Sequence, residues 1–278
     1  MDIIEWISQP ELRDPVAIVA FEGWNDAAEA ASGALWHLLE KHDSLELAVI
    51  DHEEFADFQV TRPTVQVVDG EREIRWPHTK AWAISSIGSR DVVVVLGDEP
   101  RLRWRAFSRE VTALLTALGV SEVLSLGAFL GQVAHTLPVP IIGVTDNASL
   151  QARLGLLPST YEGPTGIIGV LNEAFKTGGM RAWSLWAATP HYLSGSNNPK
   201  ASQALLEKAS RLLDIDLDAE SLNRDVGEWE QRIAAVVSDS DELTDYLVEL
   251  EEAAPMLADE GGEQLVEEIE QFLRDPEQ

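Results

Sequence analysis

The run Asp91-Val92-Val93-Val94-Val95-Leu96 constrains the fold of this chain more than any other segment. Four β-branched residues in succession lose rotamer freedom in a helix and show no polar alternation, so they fit a strand buried on both faces. Such a strand needs a layer above it and a layer below. The sequence up to about residue 190 supplies both. Val16 to Phe21, Leu45 to Ile50, Glu122 to Leu126, Pro140 to Val144 and Met180 to Ala187 are further short runs of strand type. Helical patterns at Asp26 to Glu40 and Arg105 to Leu118 lie between them, the second ended by Gly119. The alternation predicts an α/β fold, a largely parallel sheet in a three-layer α/β/α core spanning residues 1–197.

Two regions depart from that rhythm. Gln59 to Val68 and Glu71 to Trp76 flank Asp69-Gly70, a two-residue turn signal, so residues 58–77 are expected to form a hairpin apart from the main sheet. The Val, Thr and Trp side chains on its faces suit either an oligomer contact or a solvated flap. Beyond Asn197-Asn198-Pro199 the strand signals stop. Residues 198–278 are expected to form an acidic helical subdomain, with helices at Lys200 to Leu213, Ala219 to Val237, Asp241 to Leu257 and Gly262 to Leu273. Val226, Trp229, Ile233 and Val236 share one helical face, as do Leu265, Ile269 and Phe272. The opposite face is acidic. It is either a solvated surface or a docking surface for a basic partner.

Composition narrows the function classes. The 278 residues carry 48 acidic and 20 basic side chains, a formal net charge of −28, which repels nucleic-acid phosphate and anionic lipid. Neither nucleic acid nor membrane is an expected partner. With no cysteine there is no disulfide framework, no thiolate nucleophile and no cysteine-held metal. The start, Met1-Asp2-Ile3-Ile4-Glu5-Trp6, has no basic and then apolar leader pattern, and no apolar run approaches the roughly 20 residues that span a bilayer. A cytoplasmic location is expected.

Ligands of open α/β sheets bind beyond the carboxyl ends of the strands, so the segments that follow strands are the candidate site. Gly23, Trp24, Asn25 and Asp26 follow the first strand, where Asn25 and Asp26 suit either a helix cap or a pocket contact. Gly127 and Gly131 follow another strand and permit close backbone approach. Tyr161, Glu162, Gly163, Pro164, Thr165 and Gly166 precede an apolar helix, with Pro164 suited to its first turn. The amides at that helix start could bind an anion, and turn chemistry is the plainer role. His191 and Tyr192 follow the last strand, and His191 suits acid–base chemistry or a structural hydrogen bond. No Walker loop, nucleophile elbow or two-histidine metal helix is present, and His37, His42, His52, His78, His135 and His191 show no metal-site spacing. No metal and no cofactor are expected. Asp51-His52-Glu53-Glu54 reads as a solvated loop, and Trp82, Trp183 and Trp186 as core packing.

Three motifs in order carry a resemblance. Gly23-Trp24-Asn25-Asp26-Ala27, Pro158 to Gly166, and Trp186-Ala187-Ala188-Thr189-Pro190-His191-Tyr192 resemble the signatures of the proteasome assembly chaperone two family, over about residues 10 to 215. The acidic helical tail resembles the extension of its bacterial branch. The resemblance implies a core similar to the phosphorylase/hydrolase-like fold, a helical lid over a pocket, and a self-associating oligomer, for which three subunits are expected. In eukaryotic relatives the family chaperones assembly of the proteasome α-ring. Two function classes follow. One is a non-catalytic assembly or interaction factor with a protein partner such as a proteasome subunit. The other is a small-ligand binder or hydrolase/phosphorylase-type enzyme, with Glu162 and His191 as the acid–base pair and the amides near Thr165 as the anion site.

Overall fold

A computed structural model of the chain describes residues 3–68, 70–154, 156–158, 162–259, 271 and 274. It begins with β1 (Ile4–Trp6), β2 (Val16–Glu22), α1 (Ala30–Lys41) and β3 (Ser44–Asp51). A hairpin of β4 (Thr64–Val68) and β5 (Glu71–Arg75) follows, then β6 (His78–Ile87), β7 (Arg90–Asp98) and α2 (Trp104–Ala117). The next elements are β8 (Glu122–Gly131), β9 (Ile141–Thr145), α3 (Ala148–Leu154), β10 (Leu157–Pro158), α4 (Ile167–Thr177) and β11 (Arg181–Pro190). Three helices close the described chain: α5 (Pro199–Leu213), α6 (Asn223–Ser238) and α7 (Asp241–Asp259).

The valine run is β7, and it lies inside a nine-stranded sheet of order β1-β3-β6-β7-β2-β8-β11-β9-β10. Only the centre, β7-β2-β8-β11, is parallel throughout. On one side β6, β3 and β1 run antiparallel, and on the other β9 is antiparallel to β11. The expectation of a largely parallel sheet therefore holds for its middle and for the short β9–β10 pair at one edge. The reason is connection length: β6 reaches β7 through a tight turn at Gly88 (φ +65°), and a turn that short can join only antiparallel neighbours. Helices cover both faces, giving the three-layer α/β/α fold. Val19, Val93, Val95 and Val123 pack under α2 and α4 through Phe107, Leu114, Leu171 and Phe175. Ile18, Val92, Val94 and Leu124 pack under α1 and α5 through Leu35, Leu38, Leu205 and Leu206.

Small residues bring α1 and α5 close together. Gly33 faces the Ser202 hydroxyl, which donates to the Ala30 carbonyl at 2.8 Å, so α5 is a layer helix of the sheet. α6 and α7 have a small cluster of their own, with Trp229, Ile233 and Val237 against Leu193, Leu243 and Leu247. The helix expected at Gly262 to Leu273 falls outside the described residues, apart from Gln271. The hairpin stands in a separate two-stranded sheet. No helix among the described residues is long and apolar enough to cross a membrane.

Candidate functional site

The loop after β2 is built around a buried carboxylate that belongs to no motif. Glu99, just past β7, is 4% exposed. It accepts the Trp24 amide at 3.2 Å and the Asn25 Nδ2 at 2.8 Å, and the Arg101 guanidinium lies 3.6 Å away. Burial pushes its carboxyl above the usual carboxylate range, opposed by the Trp24 amide, the Arg101 charge and Asn25. Gly23 is needed here twice. Its φ is +138°, and a side chain would sit 3.0 Å from the Glu99 carboxylate. Only its position after a buried strand marks Glu99 in the sequence.

Asp26 turns the chain into α1. Its Oδ1 accepts the amides of Ala31 (2.7 Å) and Ser32 (3.1 Å), while the buried Oδ2 has no partner among the described residues. Burial pushes the carboxyl up to about 6 against the bonds from Ser32 and Ala31. The helix starts at Ala30 rather than at Asp26, because Ala28 (φ 54°) and Glu29 (φ 50°) are both left-handed. Each left-handed residue with a side chain costs roughly 1–2 kcal/mol, so tertiary bonds must hold the pair. One is the Asn198 amide, which donates to the Ala28 carbonyl at 2.9 Å.

The loop before α4 meets the loop after β2 directly. A Cβ on Gly166 would fall 2.4 Å from Asn25 Oδ1 and 2.8 Å from the Trp24 ring, so no residue but glycine fits that contact. Asn25 is 1% exposed, and its Oδ1 has no partner among the described residues. Gly127 is similarly closed, 2.7 Å from Trp186 and 3.0 Å from Ile168 by the same measure. Trp24, Asn25, Gly127 and Gly166 are thus packed around the start of α4, while Gly23 is packed against Glu99. Glu162, Gly163 and Thr165 are exposed beside them, and Tyr161 lies outside the described residues. Pro164 stands before the cap residue Gly166, ahead of the first turn of α4.

His191 and Tyr192 belong to a different contact. The His191 Nδ1 lies 3.2 Å from the Gly131 carbonyl, which can only accept, so Nδ1 carries the proton. Nε2 then accepts the Tyr246 hydroxyl of α7 at 3.3 Å. Tyr192 accepts the His135 amide at 3.0 Å and points its own proton at His135 Nδ1, 2.8 Å away. Burial, and then the Lys200 charge, lower the basicity of His135. Lys200 also bonds the His135 carbonyl at 2.8 Å and Glu230 of α6 at 2.8 Å. These side chains fasten α6 and α7 over the carboxyl ends of β8 and β11. No hydrogen bond or ion pair joins Glu162 to His191 among the described residues.

Two further places differ from the sequence reading or fall outside it. His52, in the segment expected to be a solvated loop, is fully buried against Phe55 and Phe107, with Nε2 2.8 Å from the Thr79 hydroxyl. Burial pulls its imidazole down to about 4. A cleft of about 420 Å³ opens at the root of the hairpin, between β1, the end of β3, the start of β6 and the hairpin itself.

A mixed sheet clothed by helices on both faces, with its carboxyl ends closed by loops and two further helices, defines an α/β/α protein with a helical cover. Residues 20–237 match the model of the PAC2 family, and the chain belongs to that family. Similar solved structures include a PAC2 family protein from Streptomyces avermitilis, 43% identical, with 84% of this chain and 99% of that one covered and a TM-score of 0.77. A proteasome-assembly chaperone homologue from Mycobacterium tuberculosis is 40% identical, with coverage of 84% and 99% and a TM-score of 0.75. A Mycobacterium tuberculosis protein of unknown function is 27% identical over 97% of this chain and 95% of that one, with a TM-score of 0.85. No curated protein matches the chain.

Proposed function

We propose that this chain is a non-catalytic assembly factor that binds a protein partner, a proteasome subunit, and acts in the cytoplasm as a homo-oligomer of three copies. The observation that carries this reading is the 40% identity to a proteasome-assembly chaperone homologue over nearly all of that protein. The use of the strand-end groups supports it as well. Glu99, Asp26 and His191 hold loops and helices together, which is the work of a scaffold. Mixed with proteasome α subunits, the purified chain should co-elute with them in gel filtration and shorten the time to assembled rings. Separate elution with unchanged ring formation rejects the reading.

One observation favours a second reading, a small ligand at the strand ends: the buried Asn25 Oδ1 and Asp26 Oδ2 have no partner among the described residues. Gly23, Trp24, Asn25, Asp26, Gly127, Tyr161, Gly163, Thr165, Gly166 and Tyr192 would form the pocket, with Glu162 and His191 available to act on the ligand. A metabolite screen by thermal shift tests it. A ligand whose effect survives both Glu162→Ala and His191→Ala removes those two residues from the site.

A further inference from the structure

The hairpin is built inside out. Its register places Val65 opposite Ile74 and Val67 opposite Arg72, so these four side chains share one face. The other face, through Gln66 and Arg75, overlooks the cleft at the hairpin root. The polar face is therefore turned toward the body of the molecule, and the apolar face is turned to solvent. Val65, Val67 and Ile74 are 55%, 68% and 57% exposed. A two-stranded sheet on its own is marginally stable in water, and a hairpin serving only its own chain would fold with its apolar face inward.

The occupant can be argued from charge and area. Two copies at −28 repel, so at least one of the two meeting surfaces must be locally not negative. The hairpin meets that condition: Arg62, Arg72 and Arg75 balance Asp69, Glu71 and Glu73. Arg72, on the apolar face, has no ion pair among the described residues. Nor do Glu5, Asp51 and Glu53, which line the cleft beside the half-exposed Trp76. Arg75 and Lys80 share that cleft, but Lys80 is already held by Glu46 at 3.1 Å. The cleft thus has acidic groups to spare and an aromatic rim, complementary to an apolar strip that ends in an arginine. Two such strips facing each other would instead bring Arg72 near its own copy. The three exposed apolar side chains amount to on the order of 300 Å². A stable interface buries roughly 800 Å² per partner, so each copy must receive a hairpin as well as offer one.

We propose that the outer face of the hairpin docks on the root cleft of a second copy of this chain, with Arg72 of one copy against Glu5, Asp51 and Glu53 of the next. The inference rests on the reading that the chain self-associates, and it names the surface. A contact between two different surfaces propagates head to tail, and closes as a ring where the rotation between copies permits.

Light scattering on the full chain tests it. Wild type should have the mass of several copies, and Val67→Glu and Arg72→Glu should each lower it to a single copy. Both variants should keep the wild-type circular dichroism spectrum, because the hairpin stands apart from the main sheet. Arg72→Glu combined with Glu53→Arg should restore the oligomer. A monomeric wild type overturns self-association itself. An oligomeric wild type unaffected by both hairpin substitutions overturns the hairpin alone. Loss of the oligomer in both single variants, with no recovery in the charge-swapped pair, overturns the cleft as the receiving surface.

Discussion

The sheet centre and the α6–α7 pair are both closed by apolar contact, but they are held in very different ways. β2, β7, β8 and β11 are buried along nearly their whole length between two helical layers, with aromatic rings such as Phe21, Phe55 and Phe107 stacked edge to face. α6 and α7 rest on Trp229, Ile233 and Val237, on Val226 where α6 meets the α1–α5 layer, and otherwise on polar fasteners: Tyr246 to His191, Glu230 to Lys200 and Glu251 to Thr136. Dispersed apolar contact makes one cooperative unit, whereas a few anchors make a piece that opens separately. The cover over the strand ends therefore has its own, lower stability.

The largest effect should come from the centre. Phe107→Ala removes a fully buried ring and should cost about 3–5 kcal/mol, read as a fall of the main calorimetric transition and faster amide exchange throughout the sheet. Trp229→Ala deletes the main anchor of the cover, a loss of about 3 kcal/mol or more by the same rule. Here the change should stay local, with fast exchange in residues 223–259 and the main transition nearly unmoved. An equal fall of the main transition would make the two regions one unit and end the distinction. The smallest effect tests the turn from β2 into α1. The Asp26 carboxyl is near 6 when folded against an ordinary 3.8, so the folded state binds the extra proton, and the Asp26 contribution to stability is fully present below about 3.8 and is lost as pH rises through about 6. Asp26→Asn keeps the acceptor for α1 and removes the buried charge. It should stabilise by about 1–2 kcal/mol at pH 8, allowing for the unbonded Nδ2, and destabilise by about 1 kcal/mol at pH 4, where the folded carboxyl is already protonated and only the Nδ2 cost remains. A gain of equal size at both pH values would show that the charge is not responsible.

The sheet centre was the legible part, because burial on both faces leaves a composition, Val92 to Val95 above all, that helices do not use. β6 was harder to read. His78-Thr79-Lys80 at its start carries polar groups that are satisfied only by tertiary partners, such as His52 on Thr79 and Glu46 on Lys80. The strand-end loops were legible as places but not as geometry. Gly23 and Gly166 announce close approach, yet what approaches them, Glu99 and Asn25, comes from segments far apart in the chain. The left-handed Ala28 and Glu29 could not have been read at all. Alanine and glutamate both favour helix locally, and the preference is overruled from outside.

That overruling sets an order of events during synthesis. The Ala28 carbonyl waits for the Asn198 amide, and α1 waits for α5 to complete its layer. A ribosome-bound chain that has not yet released residue 198 lacks the bond that holds Ala28 in place. The entry to α1 is therefore finished among the last parts of the fold, and a chain truncated before α5 would leave the left-handed pair Ala28 and Glu29 without that support.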